Sequence, residues 1–386
     1  MPMIGKIIAL FLLCMLLTVR PIYAEKPREG ASYIFDFYQD NANNRVIAPL
    51  VSITKEISNH FFVGTKVGVD AITSATRKST SSKTTNVKSG EDGEGDGGEG
   101  LGSLHLRYAP SVSITYDKND DTLTAGGYYS VESTYVGRSL FAAYTRRLNL
   151  NNTVLGIALN RSYDYWKPAA DRNLPDDKRH EGTLDLSATQ LLSPKTSLQF
   201  TYSSLRSEGF IALPTQTLVT DAFTVYEQYP GTRNGTAYAG RFVLLLDEPT
   251  SFHAYYRYYR DDWHIQSNTM NLELYRDLSQ SFVLGVRYRY YTQGKAFFAK
   301  DLGAYTPSDP LIAVDYRMYA FRTNTVGAMA IIKPSWSDRS LIDPDKCKLR
   351  LSADYFSTSN NNNILYVYHT DRLSGVFTTV ALDYDF

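Results

Sequence analysis

Three observations predict an all-β chain folded as a transmembrane antiparallel up-and-down β-barrel. The first is period-two alternation of apolar and polar residues in segment after segment. The second is an abundance of aromatic residues, 30 tyrosines and 18 phenylalanines, which suits girdles at two membrane interfaces. The third is the alternation of short turns with long polar loops along the chain. Arg, Lys, Asp or Glu interrupts every apolar run after the first, so only a closed barrel can satisfy its backbone inside a bilayer.

The N-terminal segment sets the compartment. Lys6 supplies a positive start, Ile7 to Val19 is apolar, and Ile22-Tyr23-Ala24 ends on a small residue. This is the pattern of a secretory signal peptide cleaved after Ala24, leaving 25–386 as one barrel domain. The apolar run is too short for an ordinary membrane anchor. Cys14 lies within it, preceded by Phe11-Leu12-Leu13, which does not suit lipoprotein processing. Cys347 is then the single remaining cysteine, so neither an internal disulfide nor a two-cysteine metal site is expected. The chain carries 40 basic and 40 acidic residues, a balance that argues against nucleic acid as a partner.

The strands follow in order. The terminal GVFTTVALDYDF places Val376, Thr378, Val380, Leu382, Tyr384 and Phe386 on one face. Tyr384 and Phe386 read as a C-terminal assembly signal of the kind the barrel-assembly machinery takes up. SFVLGVRYRYYTQ, NTMNLELY and AVDYRMYAF repeat the alternation. Short turns are expected near 56–59, 117–121, 149–152, 193–195, 248–250, 278–280 and 322–324. Longer external loops are expected at 73–102, 164–181, 210–236, 294–310 and 333–346. Counting gives about eighteen strands, or about sixteen if two weak ones merge. The loop at 73–102 ends in the Gly-rich acidic stretch GEDGEGDGGEG, which buries no apolar surface and is expected to be disordered. Its spacing matches neither calcium-loop pattern, so no metal site is assigned.

Most of the chain after Ala24 resembles a family of predicted Gram-negative outer-membrane barrels, domain of unknown function 3570. The stretches that carry the resemblance are VDAITSAT, YYSVESTYVGRSL, LNLNNTVLGIALNRSYD, EQYPGTR, YRYYRDDWHIQSNTMNLEL, RYRYYTQGKAFF and YTPSD, in that order. The acidic insert before Gly102 departs from the family pattern. The resemblance implies a barrel in the cell outer membrane and implies no established activity. It also implies periplasmic lipoprotein or redox partners of an envelope complex.

Two constellations invite chemistry. His264, Ser267 and Asn268 are the residue types of a barrel lipid hydrolase. However, a histidine and serine three apart on a strand face opposite ways, and His264 would need a bulge, or a place in the loop, to reach Ser267. Arg257, Glu273, Arg287, Arg289, Asp315 and Arg317 share the parity expected of the lumen. Opposed charges there make either a selectivity region or a ladder of ion pairs filling the barrel. No haem-attachment motif, phosphate loop or zinc-ligand cluster occurs, and no cofactor is expected. The expected function is a pore, or a scaffold in an envelope complex, with a charged lumen. A barrel scaffold for redox or electron-export partners and an outer-membrane lipid hydrolase are the alternatives.

Overall fold

A computed structural model describes residues 27–73, 86–89, 104–133, 135–166, 178–212, 216–219, 223–334, 343–359 and 372–386. The expected signal peptide and most of the acidic loop lie outside these residues. Sixteen strands close into one antiparallel barrel, the lower of the two expected counts. They are β1 (Gly30–Asp40), β2 (Arg45–Ser58), β3 (Phe61–Thr73), β5 (Leu104–Lys118), β6 (Asp121–Val131), β7 (Tyr135–Leu148), β8 (Thr153–Trp166), β9 (Lys178–Ser193), β10 (Thr196–Gly209), β13 (Thr232–Asp247), β14 (Thr250–Asp261), β15 (Gln266–Ser279), β16 (Phe282–Gln293), β17 (Phe321–Ile332), β18 (Cys347–Thr358) and β19 (Ser374–Asp385). Three short strands, β4 (Asn86–Ser89), β11 (Gln216–Val219) and β12 (Thr224–Tyr226), form a separate small sheet. The expectation of an unstructured acidic loop therefore does not extend to Asn86–Ser89.

Each wall strand pairs with its sequence neighbour in the barrel, and β1 pairs with β19 to close the ring. Closure removes the open edges that lipid cannot hydrate. Strands of 11 to 16 residues exceed the ~9–11 residues needed to cross a bilayer at a tilt. The outer face carries Val51, Val67, Val112, Leu140, Leu159, Phe200, Val286 and Val326, all exposed. Tyr108, Tyr129, Tyr163 and Tyr165 lie toward the rim that bears the long loops, and Tyr33, Phe61, Tyr144 and Phe386 toward the other. These are the two expected girdles. At the turn rim, Asn119, Asn149 and Asn151 take positive φ of 55°, 53° and 68°. Asparagine tolerates that conformation better than most residues, which lets the strands reverse tightly.

Two sequence expectations change here. AVDYRMYAF is not a strand: Tyr316–Met318 is a 3-10 turn, and β17 begins at Phe321. The apparent alternation there reflects a loop buried on several sides, which period-two reasoning cannot distinguish from a strand. Consequently 322–324 lies inside β17 rather than at a turn, and the segment after Ile332 falls on the turn rim. Removing this strand is one source of the lower count.

Candidate functional site

The long connection between β16 and β17 folds into the barrel. Its Leu302, Tyr305, Ile312, Val314 and Tyr316 pack on Tyr38, Val46, Ala48, Ile72, Phe356 and Phe377. The register puts those six on the inner faces of β1, β2, β3, β18 and β19. An apolar patch on an inner wall suits no aqueous lumen; here it seats a plug. A second cluster joins Ala296, Phe298, Ala299, Ala313, Met318 and Tyr319 to Trp263 and Ile265. The loop is held by polar contacts as well. The Tyr319 hydroxyl lies 2.7 Å from the carbonyl oxygens of both Lys300 and Ala313. The Gln293 side chain donates to the carbonyls of Arg317 and Tyr319 at 2.6 and 2.9 Å.

The connection between β10 and β13 joins this plug. Gln228 and Ile312 exchange backbone hydrogen bonds of 2.9 Å. Glu227, 2% exposed, accepts the backbone N–H groups of Val314 at 3.0 Å and Asp315 at 2.9 Å, and the Tyr229 hydroxyl. Burial, and then the neighbouring Asp315 carboxylate, push the Glu227 carboxyl up to about 7. Tyr229, Asp315 and Arg317 are the titratable groups facing it, and Arg317 pairs with Asp315. The closed plug therefore holds a proton that a hydrated carboxyl, near 4.5, would release. The resulting stabilisation is complete below pH 4.5 and is lost as pH rises through about 7. We expect protease accessibility of the loop to rise from pH 5 to pH 8, and Glu227→Gln to flatten that dependence.

Trp263 anchors this arrangement. It is 2% exposed, donates from its indole to the Thr232 carbonyl at 2.8 Å, and carries the Arg233 guanidinium 4.6 Å from its ring. Arg233 pairs with Asp261 at 2.6 Å. The neighbouring His264 sits in the β14–β15 turn with φ of 66°, beside Phe297. Ser267 points inward and is 3% exposed, whereas Asn268 faces outward and accepts the Tyr256 hydroxyl at 2.6 Å. These three side chains do not converge, so no catalytic arrangement forms from them.

The register places Arg257, Glu273, Arg287 and Arg289 on the inner wall. Asp315 and Arg317 do not stand on a neighbouring strand, as their parity predicts; they reach the lumen from the plug loop, as a mutual ion pair. Arg287 pairs across the inner face with Asp354, reaching over Gly327, its register partner on β17. A Cβ at Gly327 would collide with that carboxylate. Sequence reading missed Asp354, because an ion pair that skips a strand leaves no spacing signal. Arg107–Asp70, Arg147–Asp117, Arg179–Asp164 and Arg350–Asp383 are further inner-wall pairs. Arginines also stack on tyrosine rings of the inner wall, among them Arg257 over Tyr259 at 5.3 Å and Arg241 over Tyr255 at 5.7 Å. Across the lumen, β5 to β9 present small residues such as Ser111, Ser113, Thr124, Gly126, Ala143, Ala158 and Ser187. Beside the plug, at the rim that bears the long loops, lies a cavity of about 400 Å³ lined by Trp166, Trp263 and Arg317 among others. No group of side chains suited to a metal ion occurs among the described residues.

The family model described as "Protein of unknown function (DUF3570)" matches residues 158–362, more than half of the chain. The chain belongs to this family. The matched region contains both inward loops, and the EQYPGTR, DDWH and YTPSD stretches meet in the plug. No curated protein matches the chain. Among solved structures, a bacterial polysaccharide outer membrane secretin is 8% identical, aligned over 93% of this chain and 99% of that one with a TM-score of 0.51. This likeness shows the outer-membrane barrel fold. OccD3 (OpdP) of Pseudomonas aeruginosa is 11% identical over 93% and 92% of the two chains, with a TM-score of 0.45. The outer membrane protein opdK of the same organism is 8% identical over 93% and 98%, also at 0.45.

Proposed function

We propose that this protein is a pore of the Gram-negative outer membrane, closed at its outer rim by the two inward loops and opened by their displacement. The observation that carries the reading is the inner wall itself. Sixteen strands enclose a lumen too wide for wall side chains alone to fill, so the space holds either water or a plug. Below the loops, one wall is small and polar, and the facing wall carries Arg241, Arg257 and Arg289. The fold shared with an outer-membrane secretin supports the location. The open state passes small anions and neutral solutes in preference to cations, because the arginines on β13, β14 and β16 outweigh Glu273 on that wall.

Conductance in a planar bilayer tests the reading. Arg257 stacks on a ring instead of closing an ion pair among the described residues, so replacing it changes the field and spares the pairs. One charge at contact distance in water is worth about 1 kcal/mol, which predicts a roughly fivefold fall in anion over cation preference for Arg257→Ala. A folded barrel whose reversal potential is unmoved by Arg257→Ala would remove the arginine wall from the account. Permanent silence from a folded barrel would remove the pore. Arg287→Ala is the poorer probe of selectivity, since it strands the Asp354 carboxylate.

A further inference from the structure

We infer that the outer face of β7 to β10, at the rim that bears the long loops, binds a doubly phosphorylated glycolipid headgroup of the outer leaflet. Arg138 on β7, Arg161 on β8, Lys178 and His180 on β9 and Arg206 on β10 share the parity of this face. The register gives their arrangement. Arg138, Tyr163 and His180 are successive cross-strand neighbours. Two residues nearer the membrane centre, Gly182 stands between Arg161 and Arg206. The Arg161 side chain reaches across that glycine, where an added Cβ would lie 3.2 Å from its Nη1. Its guanidinium sits 5.7 Å from the Tyr163 ring. Elsewhere on this level the outward arginines Arg45, Arg260 and Arg322 stand on β2, β14 and β17, which are not neighbours.

Depth makes these charges costly without a partner. β8 runs toward the loop rim, with Leu155, Ile157 and Leu159 exposed on its outer face and Tyr163 and Tyr165 in the girdle. Arg161 lies between the two groups. A guanidinium on the lipid side at this level needs a counter-charge in the headgroups. Neither Arg138 nor Arg161 pairs with a carboxylate among the described residues. Arg206, whose side chain is 65% exposed, pairs with Glu208. Glu208 is the one acidic residue that these four strands turn outward, because Asp164, Glu181 and Asp185 face inward onto Arg179, Ser207 and Ser203. The guest is therefore anionic, and guanidinium groups bind phosphate through paired N–H donors. Arg161 and Arg206 stand two strand spacings apart, roughly 10 Å, a spread that suits two phosphates on one headgroup. A zwitterionic phospholipid brings an ammonium group that the patch repels. Leu140, Leu159 and Phe200, exposed nearer the centre, offer apolar surface to the acyl chains. The inference rests on the outer-membrane location proposed above, with the long loops outward, and does not require conduction.

The test is native mass spectrometry of the folded full-length barrel in detergent, titrated with diphosphoryl lipid A, monophosphoryl lipid A, phosphatidylglycerol and phosphatidylethanolamine. Inorganic phosphate at the concentration of the lipid serves as a competitor. A saturable adduct with diphosphoryl lipid A is expected, weaker by about tenfold for the monophosphoryl form and not displaced by phosphate. Arg138→Gln combined with Arg161→Gln breaks no ion pair among the described residues and should weaken binding by about tenfold or more, the weight of a charge-assisted hydrogen bond. Arg260→Gln combined with Arg322→Gln should leave it unchanged. Retained heat-modifiable mobility on gels shows that each variant is folded. Absence of a saturable adduct, or equal or tighter binding of the monophosphoryl form or either phospholipid, would overturn the inference. So would displacement by phosphate, equal losses in the two double variants, or binding unchanged in the folded Arg138 and Arg161 variant. A barrel that conducts and binds no lipid A fails this inference alone. One that binds it and never conducts fails the pore reading alone.

Discussion

Cutting out the plug loop between Ala296 and Met318 and bridging the gap with a short Gly-Ser linker turns a closed barrel into an open one. The bridge is feasible because the Ala296 amide donates to the Met318 carbonyl at 2.7 Å, so the two ends already meet. The packing argument sets the resting state. Leu302, Ile312 and Val314 are each no more than 2% exposed, and burying such side chains contributes about 1.5–3 kcal/mol apiece. This burial, with the hydrogen bonds made by Gln293 and Tyr319, seats the plug at rest. Loss of the loop should raise solute flux into liposomes by about an order of magnitude, since the remaining lumen of a barrel this size admits water. Flux unchanged by the deletion would mean that something else closes the pore.

The second large effect concerns the wall. Arg287→Ala leaves Asp354, whose side chain is 5% exposed, without its guanidinium partner. Stranding one member of a buried pair costs about 3–5 kcal/mol, whereas removing both members costs far less. Urea unfolding of the single variant should therefore begin well before that of Arg287→Ala combined with Asp354→Ala. Equal losses in the single and the double variant would show that the pair contributes little beyond its packing.

Much of this architecture is legible in the residues. Period-two alternation locates the wall, because lipid outside and water or charge inside enforce it on every strand. The inner face of Arg257, Glu273, Arg287 and Arg289 follows from the same parity. The plug is not legible in this way. A loop packed inside a barrel is buried on several sides, so its apolar residues mimic a strand at 314–320, and Asp315 and Arg317 come to be read as wall residues. Asp354 and Glu227 escape for another reason. Each is defined by partners far away in sequence, Arg287 in one case and Val314 and Asp315 in the other. The DDWH stretch raises a catalytic question that geometry answers: Trp263 anchors the plug, while His264, Ser267 and Asn268 point three ways.

The most direct test of the account is single-channel recording of the intact chain and the loop-deleted chain, side by side in planar bilayers. The account predicts brief, infrequent openings of the intact protein and long, larger steps after deletion. Identical steps from both proteins, or silence from a loop-deleted barrel that is demonstrably folded, would contradict it.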